Sequence, residues 1–380
     1  MKSLLYIANI RLPTEKAHGI QIMKTCEALA AQGVEVELLA PKRRNHLKDD
    51  AFDFYNVSKN FSLKKIWCLD FIFLPVFKRL TFWLETFTFY LSVKKYITPL
   101  QFHSGREDKF DAYYTRDLPI ALWLSKKVDI FYEIHTLPEK PRGKHKMAWQ
   151  RAKGLLVISE GIREDLIKYG VNKDKILIAP DAVDLGQFSI EESKEQSRAR
   201  LNLPKEKKIV LYTGHLYSWK GADLLAQSAG ELPEAEIYLV GGTKEDVENF
   251  KKKYNFANLH ITGWQPHNLI PYWLNSADVL VLPNSAKEKI SSRYTSPMKL
   301  FEYMASGAPI VASDLSSVRE VLNENNCFFT PSDNPELLAK KIKESLTDKS
   351  KSARIAEQAL TDVANYSWEN RAKKILEALN

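Results

Sequence analysis

Cysteine is scarce in this chain: Cys26, Cys68 and Cys327 are the only three in 380 residues. They are too far apart for a metal-binding spacing and argue against a disulfide framework, which fits a reducing cytoplasm. Long apolar runs are missing as well. Residues 4–10 are too short for the apolar core of a secretory leader and read as a first buried strand. The aromatic-rich stretch 66–97 is interrupted by Asp70, Lys78, Arg79 and Glu85. Its charge-free runs therefore fall far short of the roughly 20 residues a membrane span requires. There is no low-complexity tract, no glycine-rich dinucleotide fingerprint and no recognised nucleic-acid module, so neither a dinucleotide nor a nucleic acid is expected as a partner.

What remains is an ordinary globular composition, 44% apolar and 27% charged, over a length suited to two domains with their own cores. The formal charge of +8 is unevenly spread. Residues 1–188 hold 30 Lys and Arg against 22 Asp and Glu, whereas residues 189–380 hold 25 of each. A basic half and a balanced half point to different partners. Strand-like runs at 4–10, 34–40, 111–115, 130–134, 155–159 and 176–179 are interleaved with helical stretches, notably 20–32, 119–127 and 160–169. A charged connector over 184–208 reads as a solvated linker with some helix. A second series follows at 209–213, 236–240, 259–262, 279–282, 310–312 and 328–330, and helical signals dominate from 335 onward. Short apolar strands alternating with helices predict mostly parallel sheets covered on both faces, and such sheets bind ligands at the carboxyl ends of their strands.

The segment from Ser296 to Gly307 carries the sharpest signal. Ser296 is a good N-cap, Pro297 suits the first helical position, and Gly307 supplies a left-handed stop before a short apolar strand. The first amides of that helix, those of Met298 and Lys299 among them, lack intrahelical acceptors and form an anion site with a lysine beside it. Glu302 lies one turn on, where it would accept hydrogen bonds from hydroxyls. A phosphate cradle next to such a carboxylate suits a nucleotide sugar. Lys220, reached from a strand through Gly214, His215 and a short loop, reads either as a phosphate-neutralising cation or as a surface lysine. His135 follows a strand at its carboxyl end and reads either as a structural or as a catalytic histidine. Gly19, at the opening of the first long helix, would let a phosphate approach the backbone or is an ordinary loop glycine.

Taken in order, several segments resemble glycosyltransferase family 4 (group 1). They are residues 214–221, Thr262-Gly263-Trp264, residues 277–283, residues 296–314 and Arg319-Glu320-Val321-Leu322. In the first half, residues 157–162 and 180–184 match as well, and Tyr366-Ser367-Trp368 resembles the family's tail. The resemblance covers nearly the whole chain. It implies an α/β GT-B fold: two Rossmann-like doubly wound domains facing across a cleft, over 1–187 and 188–365, with a C-terminal helix over 366–380 crossing back to the first domain.

The resemblance also implies an activity, retaining and metal-independent transfer of sugar from a UDP- or GDP-sugar to a glycan or lipid-linked acceptor, as in bacterial cell-surface polysaccharide synthesis. No cofactor beyond that donor substrate is implied. Lys220 would bind the donor diphosphate with the amides of Met298 and Lys299, Glu302 the ribose, and the loop at Trp264 and Gln265 the base. His135 would lie beside the transferred sugar. Two positions depart from the family pattern: Tyr294 stands where a glutamate is frequent, and His215 where an arginine is. A sugar-nucleotide-binding protein without transferase activity is the alternative these departures raise. In the first half, Lys42-Arg43-Arg44, Lys64-Lys65, Lys78-Arg79 and Lys94-Lys95 occur with Trp67, Phe71, Phe73, Phe77 and Trp83. That combination reads either as a surface for an anionic membrane, making the protein peripheral at the inner face of the plasma membrane, or as a helix pair with a buried aromatic face and solvated lysines.

Overall fold

A computed structural model describes residues 1–71, 78–98 and 110–379. The chain divides into two units. One comprises Met1–Ile158, Ile162–Ala179 and Trp368–Asn380; the other comprises Ser159–Gly161 and Pro180–Ser367.

The first unit is built on a seven-stranded sheet: β1 (Ser3–Ile7), β2 (Glu35–Pro41), β3 (Ser62–Ile66), β4 (Ala112–Thr115), β5 (Ile130–Ile134), β6 (Gly154–Val157) and β7 (Ile176–Ile178). Every pairing is parallel, in the order β3-β2-β1-β4-β5-β6-β7. Leu4, Leu5, Tyr6 and Ile7 are all buried, so both faces of β1 are covered. That explains why these strands read as continuous apolar runs rather than alternating ones. No apolar run marks β3 in the sequence: its Ser-Leu-Lys-Lys-Ile is polar and largely exposed. Lysines on such an edge strand discourage pairing with another chain.

Helix α1 (Ala17–Ala31) opens three residues earlier than expected. Helix α2 (Lys78–Ile97) buries Phe89 and Val93 but exposes Leu80, Phe82, Trp83, Phe87 and Leu91. Of the two readings of this region, the buried aromatic face holds only in part: much of the apolar surface of α2 faces water. Phe73 and Phe77 lie outside the described residues. No helix among the described residues is long and apolar enough to cross a membrane.

The C-terminal helix (Trp368–Leu379) belongs to this first unit and packs on α1. It is anchored by Arg371, whose guanidinium donates to Glu133 at 2.6 Å and to the Thr25 hydroxyl at 3.1 Å. Glu133 is fully buried and also accepts from Gln21 at 2.8 Å and from the Tyr114 hydroxyl at 2.5 Å. Burial alone would raise its pKa, but Arg371 and His135 outweigh that and hold it well below the ordinary carboxylate value.

The second unit contains a six-stranded sheet: β8 (Lys208–Thr213), β9 (Ala235–Val240), β10 (Leu259–Gly263), β11 (Val279–Leu282), β12 (Ile310–Ser313) and β13 (Phe328–Thr330). Its order is β10-β9-β8-β11-β12-β13, again wholly parallel. Successive residues feed opposite cores. Ile209 and Leu211 join Leu280, Leu282, Leu300 and Phe301 on one side, while Val210 and Tyr212 join Val279, Val281, Leu225 and Ile342 on the other. The chain reverses direction across the sheet between β8 and β11, where a doubly wound sheet leaves its ligand crevice.

The connector before β8 is largely solvated and holds some helix, as expected, but one of its side chains is not free in water. Its helix α3 (Lys194–Arg200) carries the buried Arg198, which donates to the carbonyls of Ser276, Lys205 and Lys207 and to Asp278 at 2.8 Å. One side chain inside a charged run pins the connector to the sheet, and charge counting alone does not reveal it.

Candidate active site

At the carboxyl end of β8 the chain leaves Thr213 through Gly214, whose amide donates to the carbonyl of Val240 at 2.8 Å. Gly241 follows β9 with φ of 128°, and a Cβ there would sit 2.2 Å from the Gly214 carbonyl oxygen. The ends of two adjacent strands therefore approach backbone to backbone, leaving a floor without side chains. Gly241 has no signal in the sequence beyond being a glycine after a strand.

Ser218–Lys220 forms a single 3₁₀ turn ending at Gly221, from which helix α4 (Ala222–Gln227) departs. Gly221 has φ of 70°, and a Cβ would meet the Pro283 carbonyl oxygen at 1.8 Å. Only glycine fits this contact with the residue after β11, and the contact fixes where Lys220 begins. The Lys220 ammonium lies 5.2 Å from the Trp219 ring centre and 5.7 Å from that of Tyr217. Burial beneath these groups pulls its pKa down from 10.5 to about 8, although Glu302 works in the opposite direction.

Helix α5 (Met298–Ala305) brings the third part. Its cap differs from the expected one. Pro297, not Ser296, is the N-cap, and the Ser296 hydroxyl instead accepts from the amide of Asp181 at 3.1 Å. The shift leaves the anion site intact: the amides of Met298 and Lys299 make no hydrogen bond among the described residues, and the first satisfied amide is that of Leu300, to Pro297. The Tyr303 hydroxyl accepts from the amide of Thr213 at 2.8 Å and thereby ties α5 to the end of β8.

Glu302 is buried and accepts from His267 Nε2 at 3.2 Å. His267 Nδ1 faces the amide nitrogen of Gln187 at 3.2 Å, which can only donate, so in the neutral ring the proton sits on Nε2 and points at Glu302. His267 is not legible in the sequence. It lies in a short polar turn after β10 with no periodicity to mark it, three residues beyond Trp264, which is 47% exposed. Gln265 is half-buried in the same turn. His215 stacks on Tyr217, with centroids 5.0 Å apart, and its carbonyl accepts from the Tyr212 hydroxyl at 2.7 Å. Tyr294 is buried in the turn Ile290–Tyr294 that precedes α5. Lys220, Lys299 and Glu302 thus converge, with His215 on the loop leading to them. No cluster of His, Cys, Asp and Glu suited to a metal ion occurs among the described residues.

The family model for glycosyl transferases group 1 matches residues 193–362, and that for glycosyltransferase family 4 matches residues 19–187. The chain belongs to the group 1 glycosyltransferase family. Among curated relatives, a D-inositol 3-phosphate glycosyltransferase of Xylanimonas cellulosilytica is 26% identical over 231 residues, which are 56% of this chain and 53% of that protein. The chain thus spans about half the length of the curated relatives it matches. Among solved structures, sucrose-phosphate synthase of Thermosynechococcus elongatus aligns with a TM-score of 0.78 at 19% identity, covering 99% of this chain and 98% of that one. Anabaena HepE, solved in complex with UDP, aligns with a TM-score of 0.74 at 15% identity over 100% and 99% of the two chains. The fold is GT-B.

In the first unit of this group 1 glycosyltransferase, His135 follows β5, and its Nε2 lies 2.6 Å from Glu133. Glu133, Arg371 and Gln21 therefore hold the ring in place. Gly19 has a packing reason of its own: a Cβ there would lie 2.1 Å from the Tyr55 hydroxyl oxygen, and its amide donates to the Lys16 carbonyl at 2.9 Å. His18, next to it, has its pKa lowered to about 4 by burial, with Arg116 and Lys16 adding to the effect.

Proposed function

We propose that this protein transfers a sugar, with retention, from a nucleoside-diphosphate sugar to a hydroxyl of a glycan or lipid-linked acceptor. The observation that carries the reading is the convergence of the half-buried Lys220 and the buried Lys299 with the free amides that open α5. As the bond from the anomeric carbon to the phosphate oxygen breaks, its electron pair leaves with the diphosphate. Lys220 and the α5 amides oppose that growing negative charge. The acceptor oxygen forms the new bond on the same face, and its proton passes to the departing phosphate oxygen. Glu302, aligned by His267, accepts the ribose hydroxyls. To His135 the reading assigns support of positive charge at the anomeric carbon.

The UDP complex of HepE supports a uridine donor, and the neutral Trp264 turn offers main-chain groups to a base. The basic first unit takes the acceptor. Its exposed aromatic helix α2, with Lys144 over the Trp83 ring at 5.3 Å, supports an acceptor presented at an anionic membrane surface.

Screening UDP- and GDP-sugars for transfer and hydrolysis tests the reading. Lys220→Ala and Glu302→Ala should each lower kcat/KM on the order of 10²–10³-fold. Wild-type rates in both variants would overturn the site, and tight nucleotide binding without turnover on any acceptor would favour the binding-only alternative.

A further inference from the structure

Lys299 presents an anomaly that the amides of α5 do not explain. Its side chain is 8% exposed, and its ammonium makes no hydrogen bond or ion pair among the described residues. The ammonium lies 3.8 Å from the Tyr212 ring centre and 3.9 Å from the point where a Cβ on Gly214 would stand. The side chain is therefore directed along α5 toward the glycine floor and not out to water. The charged or titratable groups facing it are Lys220, Glu302 and Tyr212. Lys220 repels it, and Glu302 is engaged by His267. A ring face offsets only a small part of the cost of burying an ammonium. A group this expensive, left unpaired beside a second lysine and above bare backbone, is shaped for an anion that arrives later.

We propose that the Lys299 ammonium, and not only its amide, is a second phosphate-binding cation that with Lys220 clamps the diphosphate of the donor. The proposal rests on the donor-site reading above and adds to it the group that recognises charge on the phosphates. It has a thermodynamic signature. Burial, and then Lys220, hold the pKa of Lys299 well below its ordinary value, so the unliganded lysine is poised to take up a proton from solvent when a diphosphate binds. Glu302 acts against that depression and Tyr212 remains protonated, its own pKa raised by burial.

The test is calorimetric titration of the full chain at pH 8 with UDP and uridine, and with GDP and guanosine, in buffers of different ionisation enthalpy. Lys299→Met keeps the length and removes the charge. It should weaken binding of the diphosphate on the order of tenfold or more, the range for a lost charge-assisted hydrogen bond, and leave nucleoside binding unchanged. It should also raise the melting temperature of the unliganded protein, because the cost of burying an unpartnered amine is gone. A structural lysine would give the opposite shift. In Lys220→Met, proton uptake on diphosphate binding should persist, leaving Lys299 as its source, and this arm holds even if Lys299→Met fails to fold. Unchanged UDP and GDP affinity in Lys299→Met, or no proton uptake in Lys220→Met, overturns the inference and leaves the donor site standing. Failure of the wild-type chain to bind either diphosphate removes the donor site itself.

Discussion

At the scale of single residues, the proposed chemistry depends on cations kept in a dry place. Lys220 has its pKa lowered to about 8 by burial, and this makes two opposite predictions. In the unfolded chain it would titrate near 10.5, so between about 8 and 10.5 the unfolded state binds more protons than the folded one. Stability of the unliganded protein should therefore rise with pH across that window, the burial penalty being fully present below it. Diphosphate affinity should move the other way, falling roughly tenfold per pH unit above about 8 for each proton that binding must take up. Thermal unfolding and UDP titration between pH 7 and 9.5 would show both trends, and an affinity that stays flat through the window would refute the assignment. His267 belongs to the same scale, yet nothing in sequence distinguishes it from any other histidine in a polar turn. Its role exists only because β10 ends beside Glu302.

Elements decide which of these residues can act together. The cap of α5 falls one residue later than residue preference suggests because Ser296 is drawn away to the amide of Asp181. Local propensity gives way to a long-range hydrogen bond of similar strength. The C-terminal helix is held by a stronger tie. Arg371→Met would leave Glu133 fully buried with Gln21, Tyr114 and His135 as its remaining donors. Breaking a buried pair of this kind costs about 3–5 kcal/mol. Urea unfolding should show that loss, and Glu133→Gln combined with Arg371→Met should recover part of it. A loss below about 1 kcal/mol would mean the pair does not anchor the helix.

For the whole molecule the relevant quantities are charge and exposed apolar area. The first half carries the entire net charge, and α2 exposes Leu80, Phe82, Trp83, Phe87 and Leu91 near Arg79, Lys94 and Lys95. An interfacial helix combines apolar insertion with basic flanks, the latter contributing about 1 kcal/mol per residue at an anionic surface. Sedimentation with vesicles containing phosphatidylserine should therefore bring the protein down at low salt, less so at high salt, and not with neutral vesicles. Trp83→Asp should weaken the binding. Absence of binding at low salt would remove the membrane from the acceptor reading.

The sequence by itself determined the α/β class, most of the strands and the segments of the group 1 family. Buried parallel strands must be apolar on both faces, and a helix that receives an anion must open with free amides. Lys220, Glu302 and Lys299 were legible for the same reason, since each sits at a fixed offset from a strand end or helix start. Other features are pairings between residues far apart in the chain, and no local pattern encodes them. His267 on Glu302, Arg198 inside the charged connector, Tyr55 in the space beside Gly19 and the edge strand β3 are all of this kind. Only the tertiary structure decided that the Lys299 ammonium is buried without a partner, because whether a charge meets water or an acceptor depends on everything packed around it.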